Sequence, residues 1–261
     1  MDLDIKGKTA LVLGGAGGLG SAIALALGRE GCKVAVADIN GEELDALVRR
    51  LEAQGVSAVS QVWDISDLSV VAANLDRISE RLGPVDILIN NTGGPPPSAV
   101  SGVDAAVWVS HFQKMVQPVI TITDHVLPGM RSRKWGRIVT SASSGVIAPI
   151  PNLGLSNSLR SALVGWSKTL AREIAADGIT ANVVVPGRIA TGRIQFLDAE
   201  KAKREGKSVA EVSAASTASI PVARYGTPEE YADVVAFLAS KRASYITGSI
   251  VRVDGGLIPS I

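Results

Sequence analysis

Aromatic residues make up only 4% of the 261-residue chain, which has one cysteine and two histidines. The core therefore has to come from Val, Ile, Leu and Ala, the mixture found in parallel strands buried on both faces. A lone Cys32 excludes an intrachain disulfide and reads as a small buried hydrophobe in a reducing, cytoplasmic setting. No apolar run reaches the ~18 residues of a membrane span. The opening MDLDIKGKTALVLGG places two acids before its first apolar run and has no secretory pattern. Neither sign of charge dominates: 26 basic against 25 acidic residues give a formal net charge of +1. Nucleic-acid domains carry a clustered basic excess, so no such partner is expected, nor any membrane or metal.

What is present is an alternation of β-rich and helical stretches. Strands are predicted over Lys8–Leu13, Lys33–Ala37, Ala58–Val62, Val85–Ile89, Arg137–Ser141, Ile179–Val185 and Ser249–Val253. Helices are predicted between them, over about Gly18–Glu30, Glu42–Ala53, Leu68–Leu82, Asp104–Met130, Ser156–Ala176 and Pro228–Ala239. The long Asp104–Met130 stretch should break or end near Pro128. Such alternation means right-handed crossovers and a doubly wound, Rossmann-type α/β sheet of about seven parallel strands in a single domain, residues 1–261. The stretch Arg188–Pro221, with its charged DAEKAKREGK, is too long for an ordinary connection and is expected to be a substrate lid.

The first strand runs into Gly14-Gly15-Ala16-Gly17-Gly18-Leu19-Gly20, which opens a helix. Glycines let the backbone turn sharply and approach a pyrophosphate, while the helix amino terminus supplies free N–H groups and a positive dipole end. Asp38 ends the second strand, where a carboxylate accepts hydrogen bonds from an adenosine ribose and repels a 2′-phosphate. No Arg or Lys stands in Gly15–Gly17 or at Ile39–Asn40, so NAD is expected rather than NADP.

With these residues the chain resembles the short-chain dehydrogenase/reductase family, in particular its 3-oxoacyl-carrier-protein-reductase-like members. Further matches are Asp64, Asn90-Asn91-Thr92-Gly93 (where Asn-Asn-Ala-Gly is usual), Trp108, Gly136-Arg137-Ile138-Val139, Pro186-Gly187 and Val253-Asp254-Gly255-Gly256. The resemblance implies that Gly14, Gly18, Leu19, Gly20, Asp38 and Ile39 hold the cofactor. It also implies that Asp64 and Ile65 flank the adenine, that Asn91 and Gly93 line the groove, and that Ile189 and Thr191 lie near the nicotinamide carboxamide. A homotetramer or dimer is implied as well.

Family members move a proton with Asn, Ser, Tyr and Lys, the last two spaced Tyr-x-x-x-Lys. Anchored on Gly165-Trp166-Ser167-Lys168, the Lys falls on Arg160, the Tyr on Ser156, the Ser on Ser143 and the Asn on Met115. The resemblance thus makes Ser143, Ser156 and Arg160 the candidate catalytic set, with Arg160 also on the nicotinamide ribose. The only tyrosines, Tyr225, Tyr231 and Tyr245, lie too far along the chain for any local shift to restore the motif. His111 and His125 are possible replacement bases, although helix packing or the surface is the better expectation for both. Pro95-Pro96-Pro97 reads as a stiff pocket wall, and the four tryptophans as core.

Three readings follow. One is an NAD(H)-dependent oxidoreductase acting on a small or medium hydroxy/oxo compound with a non-standard proton-transfer group. The others are a catalytically inactive nucleotide-binding sensor or structural homologue, and a non-redox lyase-type enzyme on the same fold.

Overall fold

A computed structural model describes residues 1–261. Seven strands form one parallel sheet: β1 (Thr9–Leu13), β2 (Lys33–Asp38), β3 (Ala58–Val62), β4 (Ile87–Asn90), β5 (Gly136–Ser141), β6 (Ile179–Pro186) and β7 (Ile250–Val253). Their order across the sheet is β3-β2-β1-β4-β5-β6-β7. Alternate side chains of each strand face opposite layers, so the central strands are buried on both faces and mostly apolar, with Arg137, Thr140, Thr180 and Asn182 among the buried polar exceptions. Ala10 and Val12 of β1 join α1 (Gly18–Arg29), α2 (Gly41–Glu52) and α9 (Pro228–Leu238) in one core. Leu11 and Leu13 join α3 (Val71–Leu82), α5 (Gln117–Ser132) and α6 (Gly154–Ile174) in the other. Each fully buried Leu or Val contributes roughly 1.5–3 kcal/mol. Cys32 belongs to the first core, and burial pushes its thiol up to about 12, as suits a small hydrophobe rather than a reactive thiol.

The stretch expected as one helix over 104–130 is two, α4 (Ala105–Met115) and α5. The break falls at Val116, not at Pro128, because Pro118 lacks an N–H and is tolerated only in a first turn. Pro128 lies inside α5. The 188–221 stretch contains two helices, α7 (Gly192–Glu205) and α8 (Val209–Ala218), the second opened by a reciprocal Ser208–Glu211 cap. Only Trp63 among the tryptophans is fully buried; Trp135 is half-buried, with Lys8 and Arg137 on its ring at 4.2 and 4.6 Å. No helix is long and apolar enough to cross a membrane.

Order reverses between β1 and β4, so the loops leaving their carboxyl ends diverge and open a crevice. The candidate site is found there.

Candidate active site

A cleft of about 690 Å³ runs along the carboxyl ends of the strands, from Gly14, Gly17, Gly18, Leu19 and Asp38 to Leu257 and Ile258. At its first end the glycine loop is set by close packing. A Cβ on Gly14, whose φ is +61°, would stand 2.7 Å from the Asn91 carbonyl oxygen. One on Gly20 would overlap the Gly14 carbonyl at 2.1 Å, so Gly20 serves the loop's packing and does not line the cleft. Gly17 and Gly18, at the amino terminus of α1, face the cleft instead. Asn91 fastens this loop through Nδ2 to the Gly14 carbonyl at 3.2 Å. The Asp38 carboxylate accepts from the Ala16 and Asn40 N–H groups, both at 3.2 Å, which fixes it at the tip of β2 facing the loop.

The cradle fits a dinucleotide: a bare backbone turn, free N–H groups at a helix start and a carboxylate one strand away. Asn91, Gly93, Ile189 and Thr191 line the same cleft, and Thr191 stands over Gly18. Three expected contacts are not brought in. Ile39 is 71% exposed, Asp64 spends its carboxylate on the Ser66 hydroxyl and N–H, and neither they nor Ile65 line the cleft. Those Ser66 hydrogen bonds hold the Asp64 carboxyl below the usual carboxylate range.

At the other end stand Ser143, Ser156 and Arg160. Ser156 and Arg160 are one turn apart on α6 and so share a face. Arg160 is buried, and its guanidinium donates to three backbone carbonyls: Ser141 at 3.1 Å, Thr92 at 3.0 Å and Gly93 at 3.1 Å. Burial without a carboxylate partner lowers it to about 10, so it keeps its charge at neutral pH. Ser143 Oγ accepts from the Gly145 N–H at 3.2 Å, leaving its own proton free to donate into the cleft. Asn157 instead clamps the cleft wall, donating to the Ile150 carbonyl at 2.9 Å.

No tyrosine, histidine, lysine or cysteine lines the cleft. Tyr231 is fully buried behind β5, its hydroxyl 2.8 Å from Ser141 Oγ, and burial raises its phenol far above the usual value. Tyr225 donates to Asp198 at 2.6 Å and Tyr245 is on the surface. His111 lies half-buried on α4 and His125 is exposed, bonded to the Thr121 carbonyl at 2.8 Å, so neither is a replacement base at the site. Met115 packs in an apolar cluster with Val119, Leu159 and Leu163. Pro95–Pro97 do not line the cleft; its wall is Pro149, Ile150, Pro151 and Leu153, while Ser98–Val100 line a separate outer hollow.

A family model described as enoyl-(acyl carrier protein) reductase matches residues 14–258. The chain belongs to the short-chain dehydrogenase/reductase family. This short-chain dehydrogenase/reductase is 35% identical over 260 residues to a 3-oxoacyl-[acyl-carrier-protein] reductase of Pseudomonas aeruginosa, covering 99% of this chain and all of that one. It is 35% identical over 251 residues to nodulation protein G of Azospirillum brasilense, covering 96% and 98% of the two chains. An L-sorbose reductase of Gluconobacter frateurii, solved with NADPH and L-sorbose, superposes with a TM-score of 0.94 at 30% identity over both full chains. Membership makes the chain an oxidoreductase of hydroxy/oxo compounds that uses a nicotinamide cofactor.

Sequence reasoning did not single out Ser144, Arg193 or the tail residues Leu257 and Ile258, all of which line the cleft. For the tail the signal was present: apolar residues directly follow the Gly255-Gly256 turn.

Proposed function

We propose that the chain is an NAD(H)-dependent alcohol/ketone oxidoreductase in which a serine hydroxyl beside an arginine takes the place of the family's tyrosine and lysine. One observation carries this reading. A single cleft joins the glycine loop and Asp38 to Ser143, Ser156 and Arg160, and no tyrosine, histidine, lysine or cysteine lines it. When bound, the nicotinamide supplies a hydride acceptor or donor.

Ser143 donates to the reacting oxygen, one of its lone pairs being occupied by the Gly145 N–H. Charge that develops on that oxygen during hydride transfer is stabilised by the nearby Arg160 cation in a low-dielectric pocket. Ser156, buried and with no partner inside the protein, relays the proton between that oxygen and water in the cleft. An aliphatic hydroxyl is a far weaker acid than a phenol, so this relay is slower than the usual one. The loss of a tuned acid/base is worth roughly 10²–10⁴ in rate. Asp38 supports NAD over NADP through its negative charge at the ribose edge, against which stand the relatives solved with NADPH. We assign segment 188–221 as the substrate lid, since Arg188, Ile189, Thr191, Arg193, Ile194, Leu197 and Ser219 all face the cleft. We further propose assembly as a dimer or tetramer, which is typical of the family.

The test follows NADH absorbance across a panel of alcohols and ketones, then repeats the best turnover with Ser143→Ala and Ser156→Ala. Ser143→Ala is expected to lower kcat about 10²-fold and Ser156→Ala at least about tenfold, with NADH binding within twofold of the parent. Full activity in both variants would remove these roles.

A further inference from the structure

Four charged side chains line the cleft: Asp38, Arg160, Arg188 and Arg193. Asp38 stands at the dinucleotide end beside the glycine loop, and Arg188 is paired with Asp198 at 2.8 Å. That leaves Arg160 and Arg193, and no carboxylate lies within salt-bridge distance of either. Arg193 sits in the first turn of α7, half-buried, and reaches across the cleft mouth so that Nη2 donates to the Pro95 carbonyl at 2.7 Å. Its guanidinium lies against Gly94, where an added Cβ would stand 2.9 Å from Nη2. It therefore hangs over the loop after β4, whose Thr92 and Gly93 carbonyls hold Arg160, and its charge acts on Arg160.

Two like charges converging in a partly desolvated pocket are unfavourable unless a ligand brings the opposite charge. Arg160 already has three carbonyl partners, so it contributes field rather than further contacts. Arg193 has one and lies 5.6 Å from the centre of the Phe196 ring, which occupies its face. Its other N–H groups have no partner inside the protein and keep the bidentate geometry that suits a carboxylate. Two hydroxyls at the same end also lack partners. The Thr92 side chain is 7% exposed with an unbonded Oγ1, and Ser156 is 5% exposed. Pro149, Ile150, Leu153, Ile194 and Leu197 give the cleft an apolar wall.

We infer that Arg193 receives a carboxylate of the substrate, so that the enzyme interconverts a hydroxy acid and the corresponding oxo acid, both as anions with a compact apolar body. This rests on the oxidoreductase reading above and adds the substrate class to it. In the oxidative direction the hydroxyl carbon gives its hydride to the nicotinamide, which is reduced. The hydroxyl proton leaves through Ser156 to water, and the carbonyl forms while the carboxylate stays unchanged on Arg193. Because Arg193 is on α7, the anion also ties the lid to the site, and substrate would take the place of the Pro95 carbonyl as the arginine's partner.

The experiment titrates the NADH-loaded protein by calorimetry with acetoacetate, 2-oxobutanoate and 4-oxopentanoate, each beside its methyl ester. At least one anion is expected to bind about tenfold or more tightly than its ester. Arg193→Met should abolish that preference and leave ester and NADH affinities within twofold, while Arg193→Lys should retain part of it. The inference is overturned if no anion binds, if esters bind as well as anions, or if Arg193→Met keeps the preference. It is also overturned if Arg193→Met weakens NADH itself, since the arginine would then serve the cofactor phosphates. Failure of the unmutated protein to bind NADH would remove the oxidoreductase reading as well, an outcome distinct from all of these.

Discussion

Arg160 carries a buried positive charge that no carboxylate neutralises, and three backbone carbonyls do the work of a counter-ion. Two of those carbonyls lie in the loop after β4 and one ends β5, so the same side chain shapes the cleft and supplies its field. Arg160→Met removes the donors and leaves the carbonyls unpaired, each worth roughly 1–3 kcal/mol when buried. Such a variant is expected to lose about 5–10 °C in Tm and about tenfold in NADH affinity, measured by scanning calorimetry and nicotinamide fluorescence. An unchanged Tm would contradict the carbonyl-holding role. At this scale the glycine loop and Asp38 were legible because their chemistry depends on local spacing: a turn, a helix start, a strand end. Arg193 was not, because its partner, Pro95, is 98 residues away in the chain and only the fold brings them together. The two histidines drew notice for their chemistry, but the face of α4 and α5 on which they lie decided against them.

Helix boundaries show the same division between local and distant causes. The caps Thr227 to Glu230 and Ser208 to Glu211 follow from residues three apart, and the helices start where those pairs allow. The break between α4 and α5 instead depends on Pro118, which falls early enough in α5 to start a helix, whereas Pro128 is absorbed within one. α7 is anchored by Asp198, buried, which accepts from Arg188 at 2.8 Å and from the Tyr225 hydroxyl at 2.6 Å. These bonds join the loops leaving β6 and entering α9 to the underside of the lid. Asp198→Asn keeps the volume and removes the charge, so Arg188 loses its partner, a local cost of about 1–3 kcal/mol after allowance for its partial exposure. Limited proteolysis is expected to cut the 192–218 stretch several-fold faster, with global Tm changed little. Unaltered cleavage would mean that Asp198 does not secure the lid.

Across the whole molecule, two-faced apolar strands dictate helices on both sides of the sheet, and right-handed crossovers then dictate the reversal between β1 and β4. That reversal was implicit in the alternation of strand and helix, which is why the architecture could be read almost completely. The chemistry was less legible: Ser143 follows β5 while Ser156 and Arg160 lie on α6, and only the fold brings them to one cleft. Whether the cleft is a working NAD(H) site is tested most directly by titrating the purified protein with NAD, NADH, NADP and NADPH, alongside Asp38→Ala. Micromolar binding of NADH, at least about tenfold tighter than NADPH and with that gap narrowed in Asp38→Ala, is the expected result. Binding of none of the four would contradict the cofactor site itself, and a native preference for NADPH would contradict the role given to Asp38.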